Sequence, residues 1–208
     1  MMKKQKKSPI AALLLAVLLL LPAGCGVQGG AADTPPGGAQ QTEGKDQYQT
    51  DPVPDGKPAP VEPDDAVVDT GTQLTCTISI SCATILDNWD KCADSKKPLV
   101  PDDGVLLPAT EVTFSRGESV YDVLQRVCRE NRIHMESSFT PVYNSAYIEG
   151  IGNLYEFDCG ELSGWMYSVN GVWPDYGCSG YTLHDGDTVV WSYTCDLGRD
   201  VGALQGEP

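Results

Sequence analysis

Hydrophobic and polar positions alternate most regularly at two places far apart in the chain. In Thr75–Cys82, residues Cys76, Ile78, Ile80 and Cys82 fall on one side and hydroxyl residues on the other, the period-two pattern of a half-buried strand. In Asp187–Cys195 the same pattern puts Val189, Trp191, Tyr193 and Cys195 on one face, entered through the turn pair Asp185-Gly186. Between them one stretch follows the helical period. Val120, Val123, Leu124, Val127 and Cys128 form a stripe behind Ser119, with Asp122 placed to complete a capping box. Residues 87–104 read as a loop rich in Asp, Lys and Pro, followed by a strand around Glu111–Phe114. Beyond Asn131 the pattern is β throughout: Ile133–Phe139, Tyr147-Ile148, Leu154–Phe157, and then Trp165–Val169 with Val172-Trp173 flanking Asn170-Gly171. That dipeptide marks a two-residue hairpin turn. There is no internal repeat. Strands, one helix and more strands predict an α+β domain of β-grasp type, a mixed sheet with one helix, over residues 71–199.

The chain before this domain has a different texture. Lys3, Lys4, Lys6 and Lys7 precede the apolar run Ala11–Leu21, too short for a mature transmembrane helix but suited to a signal peptide. Leu21-Pro22-Ala23-Gly24-Cys25 then resembles the bacterial lipoprotein signal. It implies diacylation of Cys25 and an extracytoplasmic protein lipid-anchored to the bacterial cell membrane. The alternative is an ordinary secretory signal with an incidental cysteine. Residues 26–70 read as a disordered tether, because seven Gly, seven Pro and one aromatic between Gly26 and Asp65 bury too little surface to offset ordering entropy. Residues 200–208 read as a disordered tail.

Composition narrows the function classes. The formal charge is −15, and the first 25 residues hold four of the 14 cationic residues and no acid, leaving 10 basic against 29 acidic beyond them. A nucleic-acid partner is excluded on that balance, because phosphate contacts need clustered cations. Eight Cys, 22 Gly and 15 Pro in 208 residues point to a disulfide-stapled, turn-rich protein.

The stretch Gly164-Trp165-Met166-Tyr167-Ser168-Val169-Asn170-Gly171, followed by Asp185-Gly186-Asp187 and Val190-Trp191-Ser192-Tyr193, resembles the transcobalamin-like C-terminal domain. This module of bacterial surface proteins is related to the β-domain of the cobalamin carriers transcobalamin and intrinsic factor. The resemblance spans roughly residues 73–198. It implies capture of cobalamin or another corrinoid and its transfer to an uptake transporter. The alternative is an adhesin or assembly module binding a protein or glycan through an aromatic β-edge.

Setting Cys25 aside leaves seven cysteines, an odd number that permits at most three intramolecular bridges. Neighbouring first and last strands would bring Cys82 to Cys195, and the hairpin at Asn170-Gly171 would bring Cys159 to Cys178. Among Cys76, Cys92 and Cys128 the sequence does not choose. A zinc site lacks a paired-cysteine motif. No catalytic constellation emerges, so neither an enzyme nor a cofactor is expected. His184 reads as a turn residue, Asp185 and Asp187 as hairpin acids rather than calcium ligands, and Glu156, Asp158 and Glu161 as a solvated edge. The aromatics carry the candidate binding site. Ten of the chain's Trp and Tyr lie between Tyr143 and Tyr193, and Trp165, Tyr167, Asn170, Trp173 and Tyr176 gather around the predicted hairpin as its ligand-binding residues. Trp173 is expected to be partly exposed and Trp191 to belong to the core.

Overall fold

The computed structural model describes residues 47–48, 50–53 and 56–203. The signal segment, Cys25 and the first part of the tether lie outside the described residues. No described helix is long and apolar enough to cross a membrane.

The architecture is α+β and rich in sheet. The two alternating segments become neighbours. Strand β1 (Asp69–Ser81) pairs in parallel with β7 (Thr188–Thr194), and the four-stranded sheet is completed by β2 (Val105–Arg116) beyond β1 and β6 (Gly164–Val169) beyond β7. A second sheet orders β3 (Met135–Thr140), β4 (Ser145–Ile151) and β5 (Leu154–Tyr155). Strand β2 lies at an edge, and its Pro108 sits where the register with β1 shifts, between the pairs Ile78–Thr110 and Ile80–Leu107. Proline has no amide hydrogen for the ladder and is tolerated at such a bulge.

Helix α2 (Val120–Asn131) begins as the capping pattern predicts. The Ser119 hydroxyl accepts from the Asp122 amide at 3.2 Å, and the Ser119 amide donates to the Asp122 carboxylate at 2.8 Å. Its apolar stripe is buried whole. The predicted loop 87–104 holds only a short helix α1 (Thr84–Asp87) before it and a 3-10 turn at Lys97–Leu99.

The hydrophobic interior divides in two. One core packs α2 and the second sheet against the faces of β1, β6 and β7, and holds Phe114, Tyr167, Trp191, Cys76, Cys128 and Cys178. A smaller core lies under the 82–100 segment and consists of Ile85, Val100, Leu154, Tyr193 and four cysteines, Cys82, Cys92, Cys159 and Cys195.

Two expectations are corrected by this arrangement. Cys159 and Cys178 do not bracket a returning hairpin; they lie in different cores. The Asn170-Gly171 turn forms, with φ of +53° and +76°, but its second arm is a single bridge from Val172 to Val169. Pro174 ends that arm, and the chain then crosses to the start of α2. There the Val120 and Tyr121 amides, which have no partner within the helix, donate to the carbonyls of Tyr181 (2.9 Å) and Cys178 (3.2 Å). The tether also differs from its expected disorder where it is described. The Val61 amide donates to the Gly180 carbonyl at 2.8 Å, the Asn144 amide nitrogen donates to Glu62 at 2.6 Å, and β1 already begins at Asp69.

Candidate functional site

The segment Val172–Tyr181 is irregular yet held at both ends, by the β6 turn and by the first turn of α2. Gly177 is what lets it lie so close to β4: a Cβ there would overlap the Ser145 hydroxyl. Its aromatic rings are locked by hydrogen bonds as well as packing. The Tyr167 hydroxyl donates to the Tyr176 carbonyl at 2.9 Å, and the Tyr176 hydroxyl donates to the Pro58 carbonyl at 2.8 Å. Tyr176 stacks on Tyr181 at 6.2 Å, Tyr181 meets the edge of Tyr167 at 6.3 Å, and Tyr167 lies 5.4 Å from Trp191. The result is a continuous run of rings from the sheet interior to the surface. Burial drives the Tyr167 hydroxyl far above its ordinary range and pushes that of Tyr176 up to about 12, so both are neutral donors at physiological pH.

Two cavities flank this run and share Asp51, Pro174, Asp175 and Tyr176. The larger, about 600 Å³, is lined by Ser168, Trp173, Tyr181 and Lys57 together with those shared residues, and extends to Val201–Ala203. The smaller, about 450 Å³, reaches inward past Tyr143 and Tyr147 to Trp165, Tyr167 and Trp191. Both volumes fall in the range of small-molecule sites, which are concave, largely apolar and furnished with a few polar groups. Trp191 Nε1 is buried with no hydrogen-bond partner among the described residues.

Four of the five candidate residues line these cavities: Trp173 the larger, Trp165 and Tyr167 the smaller, and Tyr176 both. Their roles differ. Trp173 is half-buried at the larger opening, whereas the Trp165 indole nitrogen donates to the Leu154 carbonyl at 2.8 Å and its ring meets Tyr193 edge-on at 5.2 Å. Asn170 lines neither cavity. Its side chain donates to Asp187 at 2.8 Å and accepts from the Thr188 amide at 2.9 Å, which fixes the turn onto β7.

Most of the acids weighed in the sequence are also taken up locally. Asp185 accepts from the Thr75 amide at 2.9 Å, Asp187 from the His184 amide at 2.8 Å, and Asp158 pairs with Lys96 at 3.0 Å. Tyr147 donates to Glu156, and Glu161 is exposed. No group of three or more His, Cys, Asp or Glu suited to a metal ion occurs among the described residues.

Sequence reasoning missed the contribution of the leader, Asp51, Val53, Lys57 and Pro58, and of Val201–Ala203. The available signal was thin: Tyr48, Val53 and Val61 are isolated apolar residues in a Gly/Pro background.

Residues 117–195 match a family described as a domain of unknown function (DUF4430). That stretch runs from the turn before α2 to the end of β7 and contains Trp165, Tyr167, Asn170, Trp173 and Tyr176. Among solved structures the chain is similar to haptocorrin in complex with Cbi, with a TM-score of 0.43 and 14% identity over 62% of this chain and 27% of that one. It is also similar to a protein from Ruminococcus gnavus provisionally described as metal binding, with a TM-score of 0.33 and 14% identity over 58% of this chain and 96% of that one. This chain thus spans about a quarter of the haptocorrin chain. No curated protein matches it.

Proposed function

We propose that this chain is an extracytoplasmic lipoprotein, anchored through Cys25, whose β-grasp, transcobalamin-like domain binds a flat ligand in the joined aromatic cavities around Pro174–Tyr176. The ligand proposed is cobalamin or another corrinoid, which the protein passes to an uptake transporter without chemical turnover. The observation that carries the binding reading is the pair of adjoining cavities of about 600 and 450 Å³ that share Asp51, Pro174, Asp175 and Tyr176. Rigid aromatic side chains supply large contact area at low entropic cost, and an acceptor on the ligand would satisfy the unpartnered Trp191 nitrogen. The corrinoid rests on the resemblance of residues 164–193 to transcobalamin-like domains.

Calorimetry of the full chain with cobalamin and cobinamide tests it. The expected affinity is micromolar, about −8 kcal/mol, and Trp173→Ala weakens it by more than about 1 kcal/mol without unfolding the domain. Absence of heat with either corrinoid well above that concentration removes the corrinoid. Fatty-acid labelling of cells tests the anchor: the label is expected on the wild type and lost in Cys25→Ser.

A second reading, an adhesin or assembly module that binds a protein or glycan, is favoured by the β3–β4 hairpin. Phe139, Val142, Tyr143 and Tyr147 are 56%, 61%, 58% and 46% exposed there. Binding that survives Trp173→Ala but fails in Phe139→Ser would select it.

A further inference from the structure

The smaller core has an unusual make-up. Of its eight buried residues four are cysteines, all at most 4% exposed. They come from four separate segments: Cys82 from the end of β1, Cys92 from the 87–104 loop, Cys159 from the turn after β5, and Cys195 from the end of β7. Backbone contacts bring these segments together in pairs. The Ala93 amide donates to the Asp158 carbonyl at 2.8 Å, which sets Cys92 beside Cys159 within the same core. On the other side, β1 and β7 run parallel with Ser81 opposite Ser192, and the Thr84 hydroxyl donates to the Tyr193 carbonyl. That pairing carries Cys82 and Cys195 off the same end of two adjacent strands.

We infer that this core is closed by two disulfides, Cys92–Cys159 and Cys82–Cys195. The first ties the 87–104 loop to the turn after β5, and the second ties the ends of β1 and β7. Each bridge forms when two thiols give up two protons and two electrons and a new S–S bond replaces one broken in the oxidant. That oxidant is the disulfide of a thiol–disulfide exchange partner, which leaves as two thiols. The remaining apolar members, Ile85, Val100, Leu154 and Tyr193, are too few to hold a long loop by burial alone. Timing follows from burial. It holds the Cys82 thiol up to about 12 and raises that of Cys159 further. Little thiolate is then available at Cys82 and Cys159 in the folded reduced chain, which favours bridging before or as the loop docks.

The test is peptide mapping of the full chain, unreduced, after secretion into an oxidising compartment and, separately, after refolding with oxidised glutathione. Cleavage before aspartate puts Cys92 on peptide 90–93, Cys159 on 158–174, Cys178 on 175–184 and Cys195 on 187–195, with Cys76 and Cys82 together on 69–86. The expected links are 90–93 to 158–174 and 69–86 to 187–195. Cys82→Ser is expected to abolish the second link and keep the first. Reduction is expected to lower the Tm by roughly 10–20 °C. A link between 158–174 and 175–184 overturns the pairing, as does persistence of the 69–86 link in Cys82→Ser. Free thiols at all four positions after glutathione refolding overturn the proposal as a whole.

Discussion

The two cores rest on one sheet and are held by different means. In the larger, the stripe of α2 meets the faces of β1, β6 and β7, and 19 buried residues include Phe114, Tyr167 and Trp191. Three cysteines there, Cys76, Cys128 and Cys178, serve as small apolar side chains among many others. In the smaller, regular structure is nearly absent above the sheet, and half of its eight residues are cysteines. Burying a large aliphatic or aromatic side chain contributes about 1.5–3 kcal/mol, so the first core has the material to hold itself and the second does not. The aromatic cavities border chiefly the self-sufficient core, to which Trp191, Tyr167 and Tyr181 belong, and reach the smaller core through Trp165, which packs against both. Binding and stapling are thus divided between two regions of one small domain.

The largest expected effect that would break this contrast is Trp191→Ala. The side chain is 2% exposed at the centre of β7, and its removal is expected to cost about 3–5 kcal/mol through lost burial and a cavity. Urea unfolding should show the same loss with and without reductant, because no bridge supports that core. A loss that appears only under reduction would mean that the two cores share their stability.

Alkaline titration sharpens the comparison. Burial raises the Cys76, Cys82 and Cys128 thiols from 9.0 to about 11, 12 and 12. A thiol raised in the fold contributes its full stability below the unfolded value and loses it as pH climbs towards the folded one. Reduced protein should therefore weaken from about pH 9 upward, by up to about 1.4 kcal/mol per pH unit for each buried thiol. The proposed bridges take the raised thiols Cys82, Cys159 and Cys195 out of titration. The oxidised protein should then decline more gently, through Cys76, Cys128, Cys178 and the buried tyrosines Tyr167 and Tyr193. Identical slopes for the two forms would show that no bridges are present.

The difference between the cores also explains what could be read from the sequence. The α+β class, the capped helix at Ser119 and the inward faces of β1 and β7 are periodic features, and periodicity is local. Burial of Trp191 and the half-buried position of Trp173 followed from the same patterns. The pairing of Cys92 with Cys159 has no period, because it depends on where an aperiodic loop docks. The expected approach of Cys159 to Cys178 is prevented by one residue in particular. Pro174 cannot donate to a ladder, so the arm after Gly171 stops and carries Cys178 to α2. The described end of the tether is seated for a related reason: its prolines lower the ordering cost, and the Val61 amide on the Gly180 carbonyl and the Tyr176 hydroxyl on the Pro58 carbonyl hold it. Those contacts leave no hydrophobic signature.

The smallest expected effect separates scaffold from site at Asn170. Its side chain bonds Asp187 and the Thr188 amide, and its φ of +53° lies in the left-handed region. Asn170→Ala loses both bonds and puts a residue without a polar side chain into that conformation, at an expected cost of about 1–2 kcal/mol. Asn170→Gly recovers the backbone freedom and should cost less, close to the roughly 1 kcal/mol of the lost hydrogen bonds. Neither change should alter ligand affinity, because Asn170 lines neither cavity. Calorimetric titration of the two variants beside Trp173→Ala decides the matter. If Asn170→Gly weakens binding as much as Trp173→Ala does, the turn belongs to the site after all, and the line between the binding surface and its support has to be redrawn along β6.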